Sequence, residues 1–495
     1  MTYEKNNNII PEIFASIMAT VAGLLIYISH LGFENYGLVI IQTVFLSYFL
    51  IYAPNMVAAI ISKKTSTEWY TSKSFLLLIC IIILVIAGEI NIYWDTMIFP
   101  LFALLGGWSL VVSLAKLNKF QSLKNSLLFC LFFIFLGICF TTVPYIDFYS
   151  HPLIKEKIVT GAWAHRDAVW FSAIAGMFKT YGVSSSGIDG LVPLYYHTFS
   201  HFVYGSLSGL LGVNTITFFY ICAPILIAPL FFLSFIFCVK ETSEYFSSKL
   251  KIARVDENNI KYWISFSVLF ILPLPYQVIG YLDGERYQYI SSSSYNFALL
   301  LTFIFISIVF TFINTVKYKD FVTPSSKYFL VLTSILFLLA ISLSKVSFLL
   351  ILGFIYSYIF LRFKYYNNLY HTFTMAGFAA VFVFVFYLII YTETFLMNEA
   401  QINSTDSSLP KYLIYLFPSI FFIVFKLLSE KDLSLESLYT KVKSGSLIEV
   451  EILVALAFVL FIVPVQYFKG FQLYLAYIMI MSQLHIFELK TIDNG

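Results

Sequence analysis

The chain has 495 residues, 60% hydrophobic and only 12% charged, with a mean hydropathy of +0.85. Soluble domains carry about 25% charged residues, so this composition excludes an ordinary soluble domain. The formal net charge is +3 with no basic block interleaved with aromatics, which leaves nucleic acid without support as a partner.

The N-terminus, MTYEKNNNIIPE, has one lysine and no small-residue cleavage site before a short apolar core. It is expected to be a cytoplasmic tail and first anchor, not a removed signal peptide. Apolar runs of about 20 residues, enough to cross about 30 Å of hydrocarbon, then recur along the chain. Such spans must be helices, because only a helix satisfies its own backbone in lipid. The pattern predicts spans near 11–30, 37–60, 74–90, 94–115, 126–144, 215–238, 262–281, 296–316, 328–344, 346–362, 372–392, 411–428, 447–466 and 470–487. The expected fold is an all-α, polytopic integral membrane bundle of about 14 transmembrane helices in a single domain, 1–495. Cys80, Cys130, Cys139, Cys222 and Cys238 all fall in apolar runs without metal or disulfide spacing, as small core residues do.

Charge sets the expected orientation. Lys63, Lys64 and Lys73 share one loop, Lys116, Lys119 and Lys124 another, and Lys240, Lys249, Lys251, Arg254 and Lys261 a third. The positive-inside rule makes these loops cytoplasmic, with both termini inside a bacterial inner (plasma) membrane. That arrangement puts 22 of the 30 Lys and Arg inside and 8 outside. Segment 194–213 (LYYHTFSHFVYGSLSGLLGV) could be a fifteenth span, but that would invert everything downstream and spoil the bias. A helix that enters the membrane partly, or lies on its outer face, fits better. Glu89 and Asp95 are expected in a short outer turn, and Lys345 at the outer turn of a helical hairpin.

The scarce polar chemistry collects in the outer loop 145–214. Four of the seven histidines, His151, His165, His197 and His201, lie there, with Asp147, Asp167, Asp189, Arg166 and a run of tyrosines. Segment 163–181 reads as a helix capped by Asp167, with Val169, Trp170, Ile174, Met177 and Phe178 mostly on one face and lying along the outer leaflet. It would hold His165, Arg166 and Asp167 at its start. Beyond a glycine-rich turn, Tyr196 leads to His197 and His201, four apart on one helical face with Tyr204 and Ser208. These side chains are expected to line a polar cavity. The two histidines have metal-ligand spacing without HExxH or a cysteine set, so a hydrogen-bonded pair is favoured over zinc. Asp167 read alone is equally a helix cap, Arg166–Asp167 an interfacial ion pair, and Asp147 a water-boundary marker. The second outer loop, 282–295, adds Asp283, Glu285 and Arg286 as candidates.

A span, an outer loop with an acidic residue, an interfacial helix and then Pro193-Leu194-Tyr195-Tyr196 together resemble the GT-C superfamily of membrane glycosyltransferases. The likeness covers roughly 126–238, leaving 1–125 as an N-terminal four-helix extension and 239–495 as the remaining helices. It implies transfer of a sugar from a polyprenyl-linked donor to a glycan or lipid acceptor, on the extracytoplasmic face and among membrane lipids. Asp147 or Asp167 matches the acidic position, and no tight Asp-x-Asp pair is present. In that superfamily the Pro-Leu-Tyr-Tyr segment often opens a full span, which departs from the charge count here. The residue types suit the chemistry: a carboxylate as base, and Arg166, Arg286 or a protonated His for the leaving phosphate. His165, Asp189, Tyr196, His197, His201 and Glu285 complete the expected substrate-binding set. No cofactor is expected, although the carboxylates could hold a divalent cation. O-antigen and capsule polymerases share many spans and large outer loops, and remain an alternative. A transporter or flippase of a lipid-linked glycan is an alternative of another class, against which the chain shows no repeat.

Overall fold

The computed structural model describes residues 10–29, 36–62, 72–94, 98–115, 131–135, 138, 166–185, 187, 194, 198–250, 293–318, 324–362, 364, 367, 369–396, 434–444, 447 and 451. Among these the chain is helical, without strands. The helices are α1 (Ile10–Ser29), α2 (Gly37–Ser62), α3 (Lys73–Trp94), α4 (Phe99–Ala115), α5 (Arg166–Tyr181), α6 (Thr198–Leu210), α7 (Thr215–Thr217), α8 (Ala223–Leu250), α9 (Ser293–Tyr318), α10 (Pro324–Ser344), α11 (Val346–Arg362), α12 (Leu369–Leu396) and α13 (Leu435–Ser444). A π-helical turn, Phe218–Cys222, joins α7 to α8. Among the described residues, four segments are long and apolar enough to cross a membrane: Ile10–Ile28, Gly37–Ala58, Lys73–Trp94 and Thr215–Glu241. The protein is therefore a helical membrane protein. The expected spans 262–281, 411–428 and 470–487 lie outside the described residues, as do most of 126–144 and nearly all of 447–466.

The chain divides into two units, residues 1–245 with 254–320, and residues 246–253 with 321–495. In the first, a polar ladder ties α1 to α2. Glu12, Ser16 and Thr20 recur every four residues on one face of α1. Asn55 Nδ2 donates to Glu12 Oε1 at 2.8 Å, the Ser16 and Tyr52 hydroxyls lie 3.0 Å apart, and those of Thr20 and Tyr48 2.7 Å apart. Lys73, at the start of α3, closes on Glu12 Oε1 at 2.5 Å. Interhelical hydrogen bonds in membranes average about 0.6 kcal/mol each, so three rungs hold the pair by roughly 2 kcal/mol. The helices α3 and α9 are pinned by the Ser74 and Ser307 hydroxyls, 2.6 Å apart. Asn214 caps the central helix, accepting from the Thr217 amide at 2.7 Å. The span Thr215–Glu241 is buried from Thr217 to Val239, and its Cys222 accepts from the Thr43 hydroxyl at 3.3 Å.

In the second unit, Leu338 of α10 and Phe378, Val381 and Val385 of α12 form a core that Leu352 and Tyr356 of α11 also join. Leu338 and Leu352 lie seven residues before and after Lys345. A continuous helix would hold them about 21 Å apart, so the chain folds back at Lys345, as the hairpin reading expects. Gly377 lets α10 and α12 approach, because a Cβ there would collide with Ile335.

Candidate functional site in the outer-loop helices

The helices of the polar loop are built into the bundle. The first of them, α5, packs on α6, and α6 packs in turn on α3 and α9. Small residues make this fit. A Cβ on Gly88 of α3 would strike the Ser206 backbone, one on Gly205 would lie 2.7 Å from the Ala175 carbonyl of α5, and one on Gly209 would strike Ile92. Gly205 and Gly209 form a small-xxx-small pair, the sequence device for close helix approach in membranes. At 13 residues α6 rises about 20 Å, short of the roughly 30 Å a span needs. Within the ambiguous 194–213 segment, the described stretch Thr198–Leu210 is thus a buried helix.

Burial defines the faces. Ser200, His201, Tyr204, Ser206 and Ser208 are all buried. The His201 ring stacks on Phe171 of α5, with centroids 5.0 Å apart and planes inclined by 28°. Tyr204 sits among Phe218, Phe219 and Phe297. On α5 the buried residues include Ser172, Ile174 and Ala175, whereas Trp170 is exposed. Of the expected apolar face of Val169, Trp170, Ile174, Met177 and Phe178, Ile174 turns into the bundle, where α5 meets α6 through small residues that allow close approach.

Arg166 and Asp167 occupy the first turn of α5, so Asp167 lies inside the helix and not before it. Asp147, His165, Asp189, Tyr196, His197, Glu285 and Arg286 lie outside the described residues.

Three polar residues outside the expected site join α6 and the residues just after it to their neighbours. Glu89 Oε1 accepts from the Ser206 hydroxyl, and Asn91 Nδ2 donates to the Gly209 carbonyl at 2.8 Å. Lys179 Nζ donates to the Val213 carbonyl at 2.7 Å, and burial pulls its pKa below the ordinary lysine value. Glu89 lies well inside α3, which continues to Trp94, and not in a turn. Hydropathy falls at Glu89 and Asn91, which ended the expected span early, but partners on and just after α6 keep these polar groups satisfied within the helix. The signal that could have found them is the acid-x-amide pair Glu89-x-Asn91 following Gly88 in an apolar run, facing Gly205 and Gly209.

The layer thus sets a carboxylate, a half-buried cation and a buried imidazole around α6, while the first turn of α5 carries Arg166 and Asp167. These are groups that can move a proton or neutralise an anion. No protein-family model, curated protein or solved structure matches the chain.

Proposed function

We propose that this protein is a membrane glycosyltransferase that uses a polyprenyl-linked sugar on the extracytoplasmic face of the inner membrane. In this reading about 14 helices cross the membrane and both termini are cytoplasmic. The observation that carries it is the packing of α6. The segment that follows Pro193-Leu194-Tyr195-Tyr196 is a short polar helix wedged between α3 and α5, at the end of α3 that bears Glu89. A lipid-linked donor needs its reaction centre at the membrane face, and this layer supplies polar groups there. Asp167 serves as base toward the acceptor hydroxyl, with Asp147 the competing carboxylate. Arg166, and Arg286 from the second outer loop, face the leaving phosphate. Because the donor is activated by its phosphate, the transfer needs no covalent enzyme intermediate.

The test uses cells in which the chromosomal copy is deleted and variants are supplied in its place. Asp167→Asn should abolish glycan transfer and let the polyprenyl-linked sugar accumulate, at unchanged protein level, as read by mass spectrometry of extracted lipids. Full transfer by both Asp167→Asn and Asp147→Asn would remove the base from this loop.

One observation favours the transporter reading. Glu12 is a fully buried carboxylate in a membrane helix, paired with Lys73, and intramembrane charges often mark transport pathways. Under that reading Glu12→Gln blocks movement of a lipid-linked glycan across vesicles at normal protein level. Under the transferase reading it lowers protein level and activity together.

A further inference from the structure

The helix α13 (LESLYTKVKS) has an exposed apolar stripe. Leu435 is 86% exposed, Tyr439 68% and Val442 38%. At 100° per residue these three fall within about 60° of one another on the helix. Lys443 flanks the stripe with Glu436 beside it, Lys441 lies on the other side toward the opposite face, and Ser437, Thr440 and Ser444 form that face. A soluble surface helix would turn such a stripe inward; here no α13 residue is buried.

The helix is also tied in place. Arg362, the last residue of α11, donates to the Val442 carbonyl. Its guanidinium also grips Glu451, with Nε to Oε2 at 2.8 Å and Nη2 to Oε1 at 3.3 Å. The Tyr358 hydroxyl donates to the same carboxylate at 2.6 Å. A two-point arginine clamp of this kind fixes orientation as well as distance. It holds α13 at the Arg362 end of α11, an apolar helix. Around the clamp, Arg362, Lys441 and Lys443 outnumber Glu451, so the basic C-terminal half of α13 adjoins the clamp with an excess of positive charge.

We propose that α13 is an interfacial helix that binds the anionic phospholipid of the leaflet at the Arg362 end of α11, with its stripe in the acyl boundary and Lys441 and Lys443 reaching headgroup phosphates. Apolar area and lysine–anion attraction act together in such helices, and lysines beside a stripe bury their stems while keeping the ammonium at the phosphates. Charge bias makes this leaflet the cytoplasmic one. The inference needs membrane insertion of the helices but not the transferase reading.

The test labels the purified full chain with bimane at Tyr439→Cys or, for the opposite face, Thr440→Cys, in a background whose native cysteines are replaced. Each is reconstituted in nanodiscs of phosphatidylcholine alone or mixed with phosphatidylglycerol. The probe at 439 should be quenched by a shallow spin-labelled lipid and shielded from iodide, and the probe at 440 should behave the opposite way. Lipid quenching at 439 should rise with phosphatidylglycerol, and Lys441→Gln with Lys443→Gln should abolish that rise. Equal iodide quenching at both positions would overturn the proposal, since the stripe would face water. Shielding of position 439 from iodide and lipid alike would overturn it in favour of a protein cover such as a second copy. Lipid quenching indifferent to phosphatidylglycerol would overturn the anionic recognition.

Discussion

Glu12 concentrates the energetic problem of this protein in one side chain. A charged side chain at the centre of a membrane helix costs about 2.5–3.5 kcal/mol even on the lenient insertion scale, which bounds the cost at Glu12, fully buried in the first turn of α1. Lys73 at 2.5 Å and Asn55 at 2.8 Å offset that cost. Lys73 keeps a quarter of its side chain exposed and lies 5.7 Å from the Phe237 ring centre, a cation–π distance. Removing Lys73 strands the carboxylate, whereas removing both charges does not. Lys73→Met should therefore destabilise the protein by about 3 kcal/mol, the low end for a broken buried pair because Lys73 is partly solvated. Adding Glu12→Gln should recover most of the loss, as read by thermal unfolding in detergent. A double variant no more stable than Lys73→Met would mean that the pair is not the tie it is taken to be here. The spacing of Glu12, Ser16 and Thr20 was visible in the sequence, yet only their partners Asn55, Tyr52 and Tyr48 turn a scattering of polar residues into a ladder.

At the scale of elements, hydropathy located the long helices well, because a run of apolar residues in lipid leaves the backbone no alternative. The expected spans 11–30, 37–60 and 346–362 match α1, α2 and α11 to within two residues. It failed where side-chain partners override hydropathy, as at the end of α3, and where an element is short. The helix α13 went unread because ten residues flanked by polar segments carry no span signal. The polarity of α6 was legible, but not that its polar residues would be enclosed by α3, α5 and α9. Of the candidate site residues, His201 illustrates the limit: its sequence placed it on a polar face, and packing placed it against Phe171. Glycine gives the sharpest test of the α3–α6 contact. Gly88→Ala should lower folded yield and melting temperature, since its Cβ would collide with the Ser206 backbone. Gly353→Ala on α11 meets nothing within 4 Å and should stabilise by up to about 1 kcal/mol through helix propensity. Equal tolerance of both changes would show that α6 does not seat on α3 so closely.

For the whole molecule, the proposed topology turns on which ends of the first unit lie on which side of the membrane. Lys73, Glu12 and the Ser74–Ser307 contact share one end of the first unit. The loop helices meet the other, through Glu89 with Ser206 and through Phe297 with Phe199 and Tyr204. Under the proposed topology the first end is cytoplasmic and the second lies outside, and this sidedness underlies the proposed reaction centre. It also fixes where a probe belongs: Ser185, in the turn after α5, is fully buried and would not react, whereas Tyr181 is exposed. The most direct test is labelling of single cysteines with a membrane-impermeant maleimide in intact cells, with the native cysteines replaced. Tyr181→Cys should label in intact cells, and Lys364→Cys, just beyond α11, should label only after permeabilisation. Labelling of Lys364→Cys but not Tyr181→Cys in intact cells would place the α5–α6 layer in the cytoplasm and contradict the account.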